Sequence, residues 1–164
     1  SALGPILRES RSTRRVPQVF NAYLEGEIGA TSVFKGLPAR VLKQFVPLLN
    51  LEEVEAGTIL YSVGNPGDRV LLLLHGSVTI LKGSTPLTTL SAVQGQAATT
   101  PEGLPIFGEL ALLDRRPRVL KAVVASNAKL LVLPVEQFAA AALAMPDVRQ
   151  RLRRLKSVRA VDVG

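Results

Sequence analysis

Hydrophobic and polar positions follow a helical spacing in the first third of the chain. Between residues 19 and 49, apolar side chains recur three or four positions apart, as at Phe20, Tyr23 and Leu24, which places them on one face of a helix. Three helix-breaking residues interrupt this stretch: Gly29, Gly36 and Pro38. The pattern therefore predicts two or three short helices instead of one long helix.

From Val54 onwards the spacing changes to short apolar runs separated by turns. The turn residues are Gly57, the run from Gly64 to Asp68, Gly76, Gly83, Gly95, Gly103 and Gly108. Strands of about four to eight residues with turns this frequent are typical of a β-barrel or sandwich. The middle of the chain is thus predicted to be all-β, with helices on either side.

Two pairs of these runs predict β-hairpins. The first joins residues 70–74 to 78–81 through a turn at 75–76, and the second joins 119–125 to 130–133. Each pair is short, rich in β-branched or leucine side chains, and separated by residues that favour turns. The only histidine of the chain lies in the first of these predicted turns, and we expect it to be structural.

The helical spacing returns after residue 134. An alanine-rich helix is predicted from Val135 until Pro146, and Asp147 is a suitable N-cap for a final helix. Three apolar positions fall at i, i+4 and i+7 on that last helix: Val148, Leu152 and Leu155. Arginines occupy most of its other positions, so its single apolar stripe can cover another surface but cannot be buried all round.

Composition excludes much familiar catalysis. The 164 residues are 47% hydrophobic, contain no cysteine and contain one histidine. Thiolate metal sites, disulfides, cysteine nucleophiles and histidine clusters for metals are therefore ruled out. No G-x-S-x-G nucleophile elbow accompanies the histidine. An enzyme is the weakest hypothesis for this chain. Phe45 and Phe138 are expected to be core residues.

The net charge of +7 lies in the terminal segments. Residues 149–159 hold six cationic side chains and no acid, and residues 8–15 add a further excess of arginine. Such segments can be solvated faces or can contact a membrane surface or an acidic partner. We expect residues 1–17 to form a flexible or docking lead-in. No apolar run is long enough to span a membrane. The start without methionine is typical of an excised fragment or a tag remnant.

The segment from Phe107 to Leu112, followed by Pro117 and Arg118, carries the most chemistry. Gly108 permits a close backbone approach, and the amides of the following turn can form an anion nest. Arg118 can fold back over that nest, where its planar donors suit a phosphate. Glu109 can accept a hydrogen bond from a sugar hydroxyl. Together they suggest a ribose-phosphate site, although a plain ion pair between Glu109 and Arg118 explains the same residues.

These residues resemble the phosphate-binding cassette of the cyclic nucleotide-binding domain family, which has the pattern F-G-E-L-A-L and then P-R. A second family pattern lies upstream: Ala56-Gly57, Gly64-Asn65-Pro66-Gly67-Asp68, Leu72-Leu73 and Gly76-Ser77-Val78. The resemblance covers roughly residues 31–158. It implies a mainly β fold with flanking helices: a double-stranded β-helix, or jelly-roll, barrel with N-terminal helices and a C-terminal lid helix.

The resemblance also assigns roles to individual residues. Glu109 would accept from the ribose 2′-hydroxyl, Arg118 would pair with the cyclic phosphate, and the amides of Gly108, Leu110 and Ala111 would line the phosphate nest. The whole predicted ligand-binding set is Phe107, Gly108, Glu109, Leu110, Ala111, Arg118, Val119 and Leu120. The final helix, with Val148, Leu152 and Leu155, would be the mobile lid over the purine.

The chain departs from the family pattern after the arginine, where small residues are usual. Val119 cannot donate a hydrogen bond to guanine, which favours cyclic AMP over cyclic GMP. Leu120 is bulkier than the usual alanine and would narrow the pocket. Residues 91–106 form a longer stretch than the family's compact turn and are expected to be a surface loop.

The first functional hypothesis is a non-catalytic regulatory domain that binds a 3′,5′-cyclic purine nucleotide and signals by repositioning its C-terminal helix. It needs no cofactor beyond its ligand, cyclic AMP, with cyclic GMP as the alternative. The second is the same fold without nucleotide binding, serving as a protein-interaction module. A DNA-binding regulator would need a helix-turn-helix after the long helix, and none follows before Gly164, so this hypothesis is rejected unless the fragment was cut there.

The domain organisation and partners follow from the first hypothesis. A basic lead-in and N-terminal helix are expected over residues 1–30, and the ligand-binding domain over 31–160, with a barrel at 52–134 and C-terminal helices at 135–160. An effector domain or protein outside this fragment would receive the signal. The expected location is the cytoplasm, either alone or as the cytoplasmic domain of a larger or membrane protein.

Overall fold

The computed structural model describes residues 11–29, 34, 37–93, 104–108, 117–143, 145–146 and 150. Its helices are α1 (Asn21–Gly29), α2 (Ala39–Phe45) and α3 (Val135–Leu143), with 3-10 turns at Gln18–Phe20 and Val46–Leu48. Its strands are β1 (Arg11–Arg15), β2 (Asn50–Val54), β3 (Ile59–Tyr61), β4 (Arg69–Lys82), β5 (Thr85–Ala92), β6 (Ile106–Phe107) and β7 (Lys121–Pro134). The predictions of short helices before the strands and of a helix beginning at Val135 are confirmed.

Two long antiparallel strands, β4 and β7, form the centre of the sheet. The hydrogen-bonded order is β1-β2-β7-β4-β5, while β3 also pairs with β7 and β6 with β4. Within the part of the chain that the structure describes, this path does not close into a ring. The predicted class, mainly β with flanking helices, is confirmed, and the strand arrangement is consistent with a jelly roll. None of the described helices is long and apolar enough to cross a membrane.

The two predicted hairpins are wrong. Residues 70–74 and 78–81 lie in the single 14-residue strand β4, and residues 121–125 and 130–133 lie in the single 14-residue strand β7. The register between β4 and β7 shifts several times between Leu73 and Val78. These residues that favour turns therefore form bulges, which bend a strand without reversing it.

Gly76 explains why this bulge resembles a turn in the sequence. Its φ of +97° lies in the left-handed region, and a Cβ at this position would lie 2.8 Å from the Cα of Ala128 and would also strike the carbonyl oxygen of Asn127. Glycine is required because β4 and β7 approach closely here. His75 is exposed within β4 and is not in a turn.

Alternate residues of β4 contribute to two different cores. Val70, Leu72 and Leu74 pack with the helices in what we call the helical core. Leu71 and Leu73 pack on the other face in what we call the sheet core. Since successive side chains of a strand point to opposite faces, the unbroken apolar run reflects a strand buried on both sides.

Three aromatic rings hold the helices against the sheet. The Phe45 and Phe138 centroids are 4.5 Å apart, and Phe34 lies 6.2 Å from the former and 6.0 Å from the latter. All three side chains are buried. The prediction that Phe45 and Phe138 are core residues is confirmed, and the α2–α3 contact that they form anchors the start of the C-terminal helical region.

The basic lead-in contains a strand that the sequence analysis did not predict. Residues 11–15 pair with β2 in antiparallel register as edge strand β1. The lead-in was expected to be flexible or docking, and the flexible alternative is wrong for this part. Arg14 Nη1 lies 3.9 Å from Glu53 Oε2 in an exposed ion pair. Polar, arginine-rich strands suit a sheet edge because the side chains on both faces of such a strand can reach water.

Candidate functional site

The structure describes only part of the predicted cassette. Phe107 and Gly108 stand at the end of β6, and Arg118, Val119 and Leu120 precede β7. Six further predicted site residues lie outside the described residues: Glu109, Leu110 and Ala111 of the cassette, and the predicted lid positions Val148, Leu152 and Leu155. The expected surface loop at 91–106 is described only at its ends, where β5 runs to Ala92 and Leu104 is buried.

Phe107 begins the site from inside the sheet core. Its backbone pairs with Leu71 of β4, and the residue is 4% exposed. The ring centroid lies 6.4 Å from that of Tyr61, with the two planes tilted by 34°. Because its side chain is anchored, Phe107 fixes where the chain leaves β6 and therefore where Gly108 lies.

A side chain at position 108 would meet the guanidinium of Arg118. The φ of Gly108 is +71°, a conformation that residues with a Cβ rarely adopt. A Cβ built there would lie 2.7 Å from Nη1 of Arg118. The backbone angle therefore favours glycine at this position, and any side chain here would have to displace the guanidinium.

Arg118 is a buried cation held from several sides. Its Nη1 donates to the carbonyl oxygen of Gly108 at 3.0 Å, and its Nη2 donates to the carbonyl oxygen of Arg69. The guanidinium carbon lies 4.3 Å from the centroid of the Tyr61 ring. Only 8% of the residue is exposed. Carbonyl oxygens and an aromatic ring orient the guanidinium, whose planar set of N–H donors suits an anion.

The backbone of Arg118 is held by an adjacent turn. Its N–H donates to the carbonyl of Asn65, and its carbonyl accepts from the N–H of Gly64, both at 2.8 Å. The Gly64–Asp68 stretch that the sequence analysis singled out thus packs directly beside the predicted phosphate arginine. Val119, the next residue, is 63% exposed, while Leu120 is half-buried against the sheet core.

An ion pair between Arg69 and Glu52 lies next to the site. Arg69 Nη1 donates to Glu52 Oε2 at 3.0 Å, and Arg69 Nη2 donates to the carbonyl of Leu60 at 3.2 Å. Glu52 is buried in β2, where a carboxylate needs a charged partner. This ion pair holds Arg69 in place, and the backbone carbonyl of Arg69 accepts the hydrogen bond from Nη2 of Arg118.

Sequence reasoning missed three residues of this arrangement: Tyr61, Arg69 and Glu52. A signal existed for Glu52, because it alternates with Val54 on one face of a strand and that face is buried. No comparable signal marked Tyr61 or Arg69, whose roles arise from contacts with residues that are far away in the sequence.

Comparisons with known proteins are consistent with this geometry. A family profile described as "Cyclic nucleotide-binding domain" matches residues 51–144, more than half of the chain. A cyclic nucleotide-gated potassium channel of Mesorhizobium japonicum is 29% identical over 128 residues, and one of Rhizobium etli is 25% identical over 127. Each alignment covers 77% of this chain and 32% of the channel, so the chain spans about a third of these relatives.

A solved structure shows the same fold. The regulatory domain of Toxoplasma gondii PKA, crystallised with cAMP, matches with a TM-score of 0.65 and 19% identity, over 84% of this chain and 49% of that one. The resemblance that the sequence analysis based on the cassette pattern is thereby confirmed. With the profile match, the two channel relatives and the shared fold together, the chain belongs to the cyclic nucleotide-binding domain family.

Proposed function

We propose that this domain binds a 3′,5′-cyclic purine nucleotide, with cyclic AMP preferred over cyclic GMP, and that it acts as a non-catalytic regulatory module. The observation that carries the proposal is the buried guanidinium of Arg118 beside the carbonyl of Gly108. A desolvated cation on a fixed backbone offers a cyclic phosphate a charge-assisted contact. The cassette pattern around it supports the ribose and phosphate roles below.

The proposed contacts follow the cassette. Arg118 pairs with the cyclic phosphate, and the amides of Gly108, Leu110 and Ala111 complete the anion nest. Glu109 accepts from the ribose 2′-hydroxyl. Phe107 supports the segment from below, since its ring is packed in the sheet core.

The proposed preference for cyclic AMP depends on Val119. Its side chain is exposed beside Arg118 and carries no hydroxyl that could donate to guanine. Leu120 is half-buried against the sheet core, and we propose that its bulk limits the space for the ligand. Without a hydroxyl on Val119, guanine lacks a hydrogen-bond partner at this position, whereas adenine loses nothing. Such a difference between two ligands is a direct source of specificity.

Signalling would pass from the ligand to the C-terminal helices. Two hydrogen bonds to adjacent residues support this part of the proposal. The carbonyl of Arg69 accepts from the side chain of Arg118. The carbonyl of Asp68 accepts from the N–H of Val135, the first residue of α3, at 3.0 Å. The anion site and the start of α3 are therefore held by adjacent peptide groups. A ligand that favours one arrangement of this segment shifts the population of helix positions by its differential affinity.

Calorimetric titration of the purified chain with cyclic AMP, cyclic GMP and 5′-AMP tests the proposal. We expect saturable binding of cyclic AMP, weaker binding of cyclic GMP and the weakest binding of 5′-AMP. Arg118→Ala is expected to weaken binding by about 100-fold, because the phosphate loses its charge-assisted partner in a desolvated site. The matched control is Arg15→Ala, which removes an exposed arginine of β1 and is expected to leave the affinity unchanged.

Absence of binding by a folded sample would overturn the nucleotide hypothesis and favour the protein-interaction alternative. Circular dichroism verifies folding in each variant. Retained affinity in Arg118→Ala would overturn the proposed pose while leaving nucleotide binding intact.

The proposal extends to partners that receive the signal. We propose an effector domain or protein that responds to the C-terminal helix, and contacts of the basic terminal segments with a membrane surface or an acidic partner. The absence of a DNA-binding element and a cytoplasmic location, expected from the sequence, stay predictions.

A further inference from the structure

We infer that Tyr61 is a positioning residue for ligand binding: its ring sets the plane in which Arg118 meets the phosphate. This inference rests on the proposed function and adds to it a residue outside the cassette. The contact that carries it is the guanidinium carbon of Arg118, 4.3 Å from the Tyr61 centroid. That distance is well within the range of a cation–π interaction.

The ring and the carbonyls restrain the guanidinium in different ways. The carbonyls of Gly108 and Arg69 accept from two terminal nitrogens and so hold its edge. Tyr61 covers a face, and only a planar, electron-rich surface can do so with attraction for the cation. With edge and face both held, Arg118 loses little conformational freedom when a ligand binds.

The Tyr61 ring is itself fixed from two directions. Its backbone pairs with Ala122 of β7, just after the arginine segment. Its ring lies 6.4 Å from the ring of Phe107, just before Gly108. Tyr61 is 8% exposed, so little water weakens its attraction for the cation. It therefore links the two chain segments that flank the cassette.

Two substitutions at position 61 separate the ring from its volume. Tyr61→Leu keeps an apolar side chain but removes the aromatic face, and we expect cyclic AMP to bind about tenfold more weakly. Tyr61→Phe keeps the face, and we expect its affinity to stay within about twofold of wild type. Tyr23→Leu removes the other tyrosine of the chain, which lies in α1, and serves as the control with unchanged affinity.

A ligand-free measurement tests the contact itself. Protons over the face of an aromatic ring resonate upfield, so the Cδ and Nε protons of Arg118 should be shifted upfield in the NMR spectrum of the unliganded wild type. Arg118→Lys identifies these resonances by their disappearance. The upfield shift should persist in Tyr61→Phe and vanish in Tyr61→Leu.

Each outcome decides something. The role of the ring would be overturned by any of three results. The first is the absence of an upfield shift in folded wild type, and the second is an affinity for cyclic AMP in Tyr61→Leu equal to that of wild type. The third is a loss of affinity in Tyr61→Phe as large as that in Tyr61→Leu. If wild type binds no cyclic nucleotide, the proposed function fails and the role in binding fails with it. The NMR shift would then still report whether the contact exists, so the two failures are distinguishable.

Discussion

The guanidinium of Arg118 occupies the space that a side chain at position 108 would need. Its Nη1 lies 2.7 Å from where a Cβ of residue 108 would stand, and the same nitrogen donates to the carbonyl of Gly108. The chain segments on the two sides of the cassette thus fit each other in shape and are joined by a hydrogen bond. A side chain at position 108 would therefore displace the guanidinium.

Gly108→Ala is expected to impair the site more than the fold. The new methyl group pushes Arg118 from its carbonyl acceptors, so cyclic AMP affinity should fall by about tenfold or more. The left-handed backbone adds strain of about 1–2 kcal/mol to the folded state. Calorimetry and urea unfolding measure the two effects.

The control for this substitution is Gly83→Ala, at the turn between β4 and β5. Its φ of +63° matches that of Gly108, but no atom lies within 4 Å of its Cβ position. The Gly83→Ala variant should lose a similar amount of stability, while its affinity for cyclic AMP stays unchanged. Equal losses of affinity in both variants would contradict the steric explanation.

Gly76→Ala should be the most destabilising of the glycine substitutions. A Cβ there meets backbone atoms of Asn127 and Ala128, which cannot move without separating β4 from β7. We expect a loss of more than about 2 kcal/mol in the free energy of unfolding. Urea denaturation measures it against Gly83→Ala, and a loss no larger than in that control would show that the bulge adapts.

Two adjacent carboxylates of β2 should differ sharply in their contribution to stability. Glu52 is buried and pairs with Arg69 at 3.0 Å, whereas Glu53 is half-exposed and lies 3.9 Å from Arg14. Glu52→Ala leaves a partly buried cation without its hydrogen-bonding carboxylate, and about 1–3 kcal/mol of the free energy of unfolding should be lost. Glu53→Ala should cost less than about 0.5 kcal/mol.

Chemical denaturation of both glutamate variants gives the comparison directly. The carbonyl of Arg69 also accepts from Arg118, so Glu52→Ala should weaken cyclic AMP binding as well. Equal stability losses at positions 52 and 53 would contradict the importance of the buried pair.

Val119→Thr is expected to improve cyclic GMP binding relative to cyclic AMP. A hydroxyl at this exposed position gives guanine a hydrogen-bond partner worth about 1 kcal/mol, or roughly a fivefold change in the ratio of affinities. Competition calorimetry with the two nucleotides measures that ratio. Val63→Thr is the control, because Val63 is similarly exposed but lies outside the cassette; an equal change there would argue against a specific contact.

Local sequence was sufficient to predict the fold class and the family but not the strand pairing. Glycine at position 108 and arginine at 118 stand in a pattern of consecutive residues, so they could be found without the fold. Gly76, in contrast, resembles a turn locally, and only the close approach of β7 makes it a bulge. Strand β1 was missed because its residues 11–15 have no apolar alternation.

The supporting residues of the site could not be predicted for a related reason. Tyr61 and Arg69 contact Arg118 across a long stretch of sequence, the second at a separation of 49 positions. A tyrosine at the end of a strand has many plausible partners, and the sequence alone does not select one. The pairing of β3 and β4 with β7 in the folded protein brings these residues to Arg118.

The central pairing of β4 with β7 has a kinetic consequence. Ser77 and Ser126, which face each other across it, are 49 positions apart, so closing this ladder requires the chain to order a long loop. Sheets dominated by such distant contacts fold in about milliseconds to seconds. The helices can begin from local contacts, and so can the contact of Arg118 with Gly108, 10 positions away, but the carbonyl of Arg69 on β4 is 49 positions from Arg118. We therefore expect the complete set of Arg118 contacts to form together with the sheet and not before it.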